Sequence, residues 1–434
     1  MRALTKSCVF CALLVALGAH PLPATAHESS ANTPAAGAVV LDLATVARLA
    51  RARSPTLQIG RAAVAASPDI ARAAGAIFPT PPRLELQAGP RMPRGGGAGA
   101  EWTVAAWQDL SLGGLGAARR DLSASLKREA NAGLTVAELD AAARGALAWT
   151  DARLALELER LRTEALAAAE ELLRVAEVRV QSGRADPGES ALAQSVVGSA
   201  RAAVLDAEGR RFVAETELRF FTGLAPDAKV RVAGEFEAKD APLDPETLLS
   251  ASRGRQPDVA LSVAGAERRE RAVEVALATG RPFLAVGPLV THEATGDWIV
   301  QARVAAPLPF VNPNAFEGAR AKSDALIARA EASERRARLE AEIRMLLHER
   351  EHARAVRDTL REGSLLPARL ALDVAGKQYA AGRAELGTVL VARRELLDAE
   401  QRWAEAVADV WRADVRLSRA LGQFPSTPLG KAGS

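Results

Sequence analysis

The stretch VLVARRELLDAEQRWAEAVADVWRADVRL, residues 389–417, places alanine at every seventh position, Ala392, Ala399, Ala406 and Ala413, interleaved with Val389, Leu396, Trp403, Val410 and Leu417. A 3-4 spacing held over four heptads is the seam of a coiled coil, and a small residue at every other layer lets helix backbones approach closely. The pattern also stands 199 residues earlier. There Ala193, Ala200, Ala207 and Ala214 alternate with Val197, Val204 and Leu218, and Arg211 interrupts the row.

The offset recurs along the chain. LRFFTG ending at Gly223 matches LSRALG ending at Gly422, and VRVQSGRADPG (178–188) matches GKQYAAGRAELG (376–387). Near the start of each copy, LDLATVARLARARSPTL (41–57) matches LDPETLLSASRGRQPDV (243–259), with Pro55 and Pro257 in equivalent places. These matches predict a tandem duplication, 41–225 and 243–424, joined by a Pro- and Gly-containing connector over 226–242 and followed by a tail at 425–434.

Within each half one segment changes period. RLELQAG (83–89) and EWTVAAWQDLSL (101–112) flank the loop PRMPRGGGAGA, while FLAVGPLVTHE (283–293) and DWIVQARVAAPL (297–308) flank a short turn. Trp298, Val300, Ala302, Val304 and Ala306 alternate with Ile299, Gln301 and Arg303, which is a strand with one apolar and one largely polar face. Strand hairpins are therefore expected at 83–112 and 283–310. Between the hairpins and the alanine heptads run very long helices. No proline falls from Ala117 to Gln181, and Leu154, Leu158, Leu161, Ala165, Ala168, Leu172 and Val175 keep a 4-3 spacing. A helix of that span reaches on the order of 100 Å and must pack lengthwise.

Two strands per half make four per chain, whereas membrane barrels close with about eight or more. The apolar strand face, with Trp102 and Trp298 near the strand starts and Val300 and Val304 between, fits a lipid-facing surface with an aromatic girdle. Three copies would supply twelve strands to one barrel and leave no open edge, with the long helices forming a tube below it.

The ends and the composition agree with export. Residues 1–26 carry Arg2 and Lys6, the apolar run CVFCALLVALGA and ATA before His27, the layout of a cleavable signal, with 27–40 expected as a flexible mature N-terminus. Both cysteines, Cys8 and Cys11, lie in that signal, so no disulfide or thiolate ligand is expected in the mature protein. Losing Arg2 and Lys6 takes the formal charge from +3 to +1, too little to suggest nucleic acid. No later run of 18 apolar residues predicts a transmembrane helix.

The order helix, hairpin, long helix, glycine turn and heptad helix, twice over, resembles the TolC-like outer-membrane efflux channel family across nearly the whole mature chain. WQDLSLGG followed by ARR and APLPFVNPNAFEGARA look like that family's strand-to-helix junctions, and LLPARLALDVAGKQYAAGRAELGTVLVARRELLDAE, with Tyr379 three residues before Gly382, looks like its second helical tip. LPFVNPN leans toward the subgroup serving cobalt-zinc-cadmium resistance pumps. The resemblance implies a mostly α chain with a small β part: long coiled-coil hairpins in tandem repeat forming a periplasmic α-barrel, and four strands per chain in a trimeric 12-stranded outer-membrane β-barrel. It implies a homotrimer embedded in outer-membrane lipid, acting as a passive exit duct for an inner-membrane pump through a periplasmic adaptor. The tips 182–190 and 381–388 would then meet the adaptor, with Gly183 and Gly382 ending the helices and Arg184, Asp186, Glu189, Arg383 and Glu385 supplying contacts. A periplasmic coiled-coil adaptor or scaffold is the rival reading. It fits less well because such a chain carries one long hairpin between small β-rich domains.

HEREH, residues 348–352, has the spacing with which two histidines and a glutamate serve zinc proteases. It lies in the long second-half helix, where Leu339, Ile343 and Leu346 mark the buried stripe and both histidines point away from it. Arg350 and Glu351 between them suit a solvated face, and no third ligand follows. His292 reads as an exposed loop residue and His27 as a chain end. Met92 and Met345 are too few for a soft-metal relay. No catalytic residue, metal site or cofactor is expected.

Overall fold

The computed structural model describes residues 38–76, 78, 80–92, 98–111, 113–236, 245–252, 256–306 and 314–424. The expected signal (1–26), most of the flexible start (27–37, with His27), the glycine loop centre (93–97), part of the connector (237–242), the stretch 307–313 and the tail (425–434) lie outside these residues.

The first half comprises β1 (Val39–Leu41), α1 (Leu43–Arg53), α2 (Gln58–Ala74), β2 (Arg83–Arg91), β3 (Gly99–Ser111), α3 (Leu115–Gln181) and α4 (Pro187–Thr222). After β4 (Val230–Val232) and α5 (Pro245–Ser252), the second half runs through α6 (Pro257–Thr279), β5 (Phe283–His292), β6 (Trp298–Ala305), α7 (Ala315–Leu360), α8 (Leu366–Ala380) and α9 (Leu386–Ala420). No described helix is long and apolar enough to cross a membrane.

At 67 residues α3 spans about 100 Å as an unbroken rod. Its counterpart is not unbroken. A π turn at Arg361–Leu365 separates α7 from α8, with the Leu366 N–H bonding the Arg361 carbonyl. Pro367 is the cause: it has no N–H to offer four residues back, and its ring would crowd that carbonyl.

The packing centre lies where β1, α1, α3 and α9 meet. Trp149 of α3 is 1% exposed, and its Nε1 donates to the carbonyls of Leu41 (3.1 Å) and Ala233 (3.2 Å). Trp411 of α9 meets it edge-on at 5.5 Å and donates to the Phe236 carbonyl at 2.6 Å. Both indole donors are thereby satisfied inside an apolar cluster, which burial requires. Gly145 lets α1 cross α3 closely, since a Cβ there would lie 2.9 Å from that of Ala50.

Three expectations need correction. The described chain has six strands, because β1 and β4 form a short parallel pair (Val39↔Val230 to Leu41↔Val232) outside the hairpins. Three-residue strands are too short to display a period. The deepest stripe of α7 is Leu339, Ile343 and Leu347, with Leu346 only partly buried. Arg350, read as solvated, is 3% exposed and ion-paired with Asp414 of α9, itself 5% exposed. The seven-residue step from Ile343 lands on Arg350 and then Arg357, so the buried face of α7 continues through charge.

The alanine heptads hold for five of their eight alanines, with Ala200, Ala214 and Ala392 only half-buried. Ala193 and Ala207 of α4 and Ala399, Ala406 and Ala413 of α9 are buried. Arg211, the interruption, reaches Glu159 of α3 at 2.6 Å.

Candidate functional site

Two regions carry the candidate residues: a four-stranded sheet and a pair of helical tips. The sheet is antiparallel in the order β2-β3-β5-β6, so the two hairpins join through β3 and β5. The register Leu86↔Val104, Val104↔Val290 and Val290↔Val300 aligns the even-numbered residues of all four strands on one face. That face holds Leu84, Leu86, Val300 and Val304, each at least 65% exposed, and no Asp, Glu, Lys or Arg. Full burial of each such side chain is worth about 1.5–3 kcal/mol, so a contiguous patch of them in water is costly and marks an interaction surface.

At one end of this face Trp102, His292 and Trp298 form one cross-strand row. Trp102 stacks on His292 at 5.7 Å and meets Trp298 edge-on at 5.3 Å. His292 thus corrects its reading as a loop residue: it ends β5, half-buried between two indoles.

The odd-numbered face is of another kind. Glu85, Gln87, Glu101, Thr103, Gln301 and Arg303 line it. Gly287 in its centre permits a close strand approach, because a Cβ there would fall 1.8 Å from the Ala106 carbonyl oxygen. One edge of β2 and one edge of β6 have no strand partner among the described residues.

The tips share one construction. At the end of α3, Gly183 takes φ +69°, its N–H bonds the Val180 carbonyl and the Arg184 N–H bonds that of Arg179. At the end of α8, Gly382 takes φ +69°, with Gly382 bonding Tyr379 and Arg383 bonding Gln378. These are Schellman endings, which need the left-handed angle glycine adopts without cost. Asp186 caps α4 by accepting the Gly188 N–H at 2.7 Å, whereas the Glu385 side chain makes no such bond at the start of α9. Gly183, Arg184, Asp186, Gly382, Arg383 and Glu385 are all exposed.

Glu189 is differently placed. It turns inward to accept from the Tyr379 hydroxyl at 2.5 Å, with the Arg179 guanidinium 3.5 Å away and stacked over the Tyr379 ring at 4.5 Å. The two tips are thereby tied together within one chain, above a cluster of Ala176, Ala193, Ala375, Leu386 and Val389. Burial, the bond to Glu189 and that carboxylate's charge push the Tyr379 phenol up to about 12, against an opposing effect from Arg179. A tie between positions 190 apart leaves no local signal in the sequence, although Tyr379 stood out by its distance from Gly382.

His348 and His352 are exposed on α7, and Glu349 between them pairs with Arg416 at 2.5 Å. No group of three or more His, Cys, Asp or Glu that could hold a metal occurs among the described residues.

No family model and no curated protein matches the sequence. Solved structures do match in shape. The outer membrane protein VceC of Vibrio cholerae superposes with a TM-score of 0.70 at 19% identity, over 88% of this chain and 96% of that one. The chain has the fold of outer-membrane channels. The channel CmeC of Campylobacter jejuni gives 0.71 at 17% identity over 90% and 87% of the two chains. The open-state channel MtrE of Neisseria gonorrhoeae gives 0.68 at 18% over 88% and 89%. The chain's helical mass and small sheet agree with the fold class expected from the heptads and the period-two segments.

Proposed function

We propose that this chain is the outer-membrane component of a tripartite efflux system, a passive exit duct fed by an inner-membrane pump through a periplasmic adaptor. The observation that carries the reading is the sheet: four strands with two edges open among the described residues, an apolar face without Asp, Glu, Lys or Arg, and an opposite face that carries all six of the strands' acidic and basic residues. Three copies joined β6 to β2 would make a barrel of twelve strands with lipid outside and water inside. In this reading Trp102, Trp298, Val300 and Val304 face lipid, and α3 carries the tips about 100 Å into the periplasm.

The recurrence of hairpin, long helix, glycine turn and alanine-bearing helix supports two repeats, 41–225 and 243–424, joined at 226–242. Gly183, Arg184, Asp186, Gly382, Arg383 and Glu385 offer the adaptor contacts, with Glu189 bracing the tips from within. The cargo is selected by the pump. A heavy-metal cargo of the cobalt-zinc-cadmium type is supported only by LPFVNPN, which falls almost wholly outside the described residues. The rival periplasmic adaptor or scaffold leaves the apolar sheet face without a use.

Two measurements test the proposal. The detergent-solubilised protein should have the mass of a trimer and fractionate with the outer membrane; a stable monomer in the soluble periplasmic fraction would defeat it. Arg184→Glu with Arg383→Glu should abolish export while trimers still form, and unimpaired export would remove the tips from the mechanism.

A further inference from the structure

The strands of the sheet carry six charged residues, Arg83, Glu85, Arg91, Glu101, Asp109 and Arg303, and all six have odd numbers. They share the polar face, three of each sign, and each has an opposite partner. Arg83 meets Asp109 at 2.9 Å, Arg91 meets Glu101 at 3.4 Å and also Glu293, just past the end of β5, at 3.3 Å, and Arg303 meets Glu85 at 3.8 Å.

The last pair shows how the balance is built. Arg303 lies on β6 and Glu85 on β2, the two outer strands, so the arginine reaches across the face to meet the carboxylate. It crosses Gly287, its register partner on β5, which has no side chain to obstruct it. Its guanidinium then lies 4.7 Å above the Trp107 ring, where the aromatic face favours a cation.

We infer that the water-facing wall of this sheet is charge-balanced, so that the duct it builds passes cations and anions alike, and that Glu85 is the residue that keeps Arg303 from making it anion-selective. The inference rests on the channel reading above. Pores that select by charge line a constriction with side chains of one sign, and a ring of unpaired arginines favours anions. Here each arginine has a carboxylate within ion-pair reach, and the wall presents no net sign.

The test is the zero-current potential of purified protein in planar lipid bilayers under about a tenfold KCl gradient. The wild type should give a potassium-to-chloride permeability ratio within about threefold of unity. Glu85→Gln should shift the ratio toward chloride, Arg303→Gln toward potassium, and the double variant should return it to the wild-type value. A wild-type ratio beyond about threefold in either direction, or single variants that leave the ratio unmoved, would overturn the inference while the channel reading stands. Bilayer-inserted protein that conducts no ions would overturn the channel reading and the inference with it.

Discussion

Arginine placed along β6 gives a sharp test of which face meets lipid. Rows on the even-numbered face lie two residues apart, so each steps about 6.7 Å along the strand and about 5 Å in height at a tilt near 40°. Ala302 stands two rows from the Trp298 girdle, which puts it about 10 Å down, close to the middle of an apolar band about 25 Å tall. An arginine at the midplane costs about 2–4 kcal/mol, and near the girdle about 0–1 kcal/mol. Ala302→Arg should therefore cost about 6–12 kcal/mol summed over a trimer, and Val300→Arg, one row down, roughly half as much. Gln301→Arg, between them on the polar face, should cost almost nothing. The assay is folding into lipid vesicles over a urea series, together with the yield of heat-modifiable trimer in the outer membrane. If Gln301→Arg impairs assembly as much as Ala302→Arg, the assignment of the even-numbered face to lipid is wrong.

Other expectations follow from particular contacts. Tyr379 is the one tyrosine in the chain, so tyrosinate absorbance near 295 nm reports it alone; the midpoint should lie near 12 and move toward 10 in Glu189→Gln, and a native midpoint at 10 would remove the tie. Because that pKa is raised, the tie's contribution should be complete below pH 10 and fade as pH climbs to 12, visible as faster amide exchange at the tips. Arg350→Met removes an ion-pair partner of the buried Asp414 carboxylate and should cost up to about 3–5 kcal/mol, while adding Asp414→Leu should recover part of it in thermal unfolding. Replacing His348 and His352 together by Gln should leave assembly and export unchanged, whereas loss of a tightly bound zinc ion or of peptidase activity would reverse the reading of HEREH as a helix face.

Patterns with a local period were legible in the sequence. The seven-residue alanine spacing and the two-residue alternation at 298–305 located the seam helices and the sheet face, because each period maps directly onto one side of a helix or strand. The paired glycines at 183 and 382 located the helix ends for the same kind of reason. What escaped were contacts between distant segments: β1 with β4, Arg350 with Asp414, Glu189 with Tyr379 and Arg303 with Glu85. A polar residue bound for a buried partner looks, along the chain, like one bound for water. Only the fold tells them apart.

The seam between β3 and β5 also sets a timetable. Thr103 and Thr291, whose hydroxyls meet across it at 2.9 Å, are 188 positions apart. A ribosome adding about 5–20 residues per second needs roughly 10–40 s to cover that interval. Throughout it the first hairpin has been made and its sheet neighbour has not, and a lone hairpin is at best marginally stable in water. The backbone N–H and C=O groups of β3 that will pair with β5 must pass those seconds as an open strand edge. A chaperone that shields exposed strands from aggregation would therefore be needed most during synthesis of α3 and α4, and slowing translation there should lower the yield of assembled protein more than slowing it after β6.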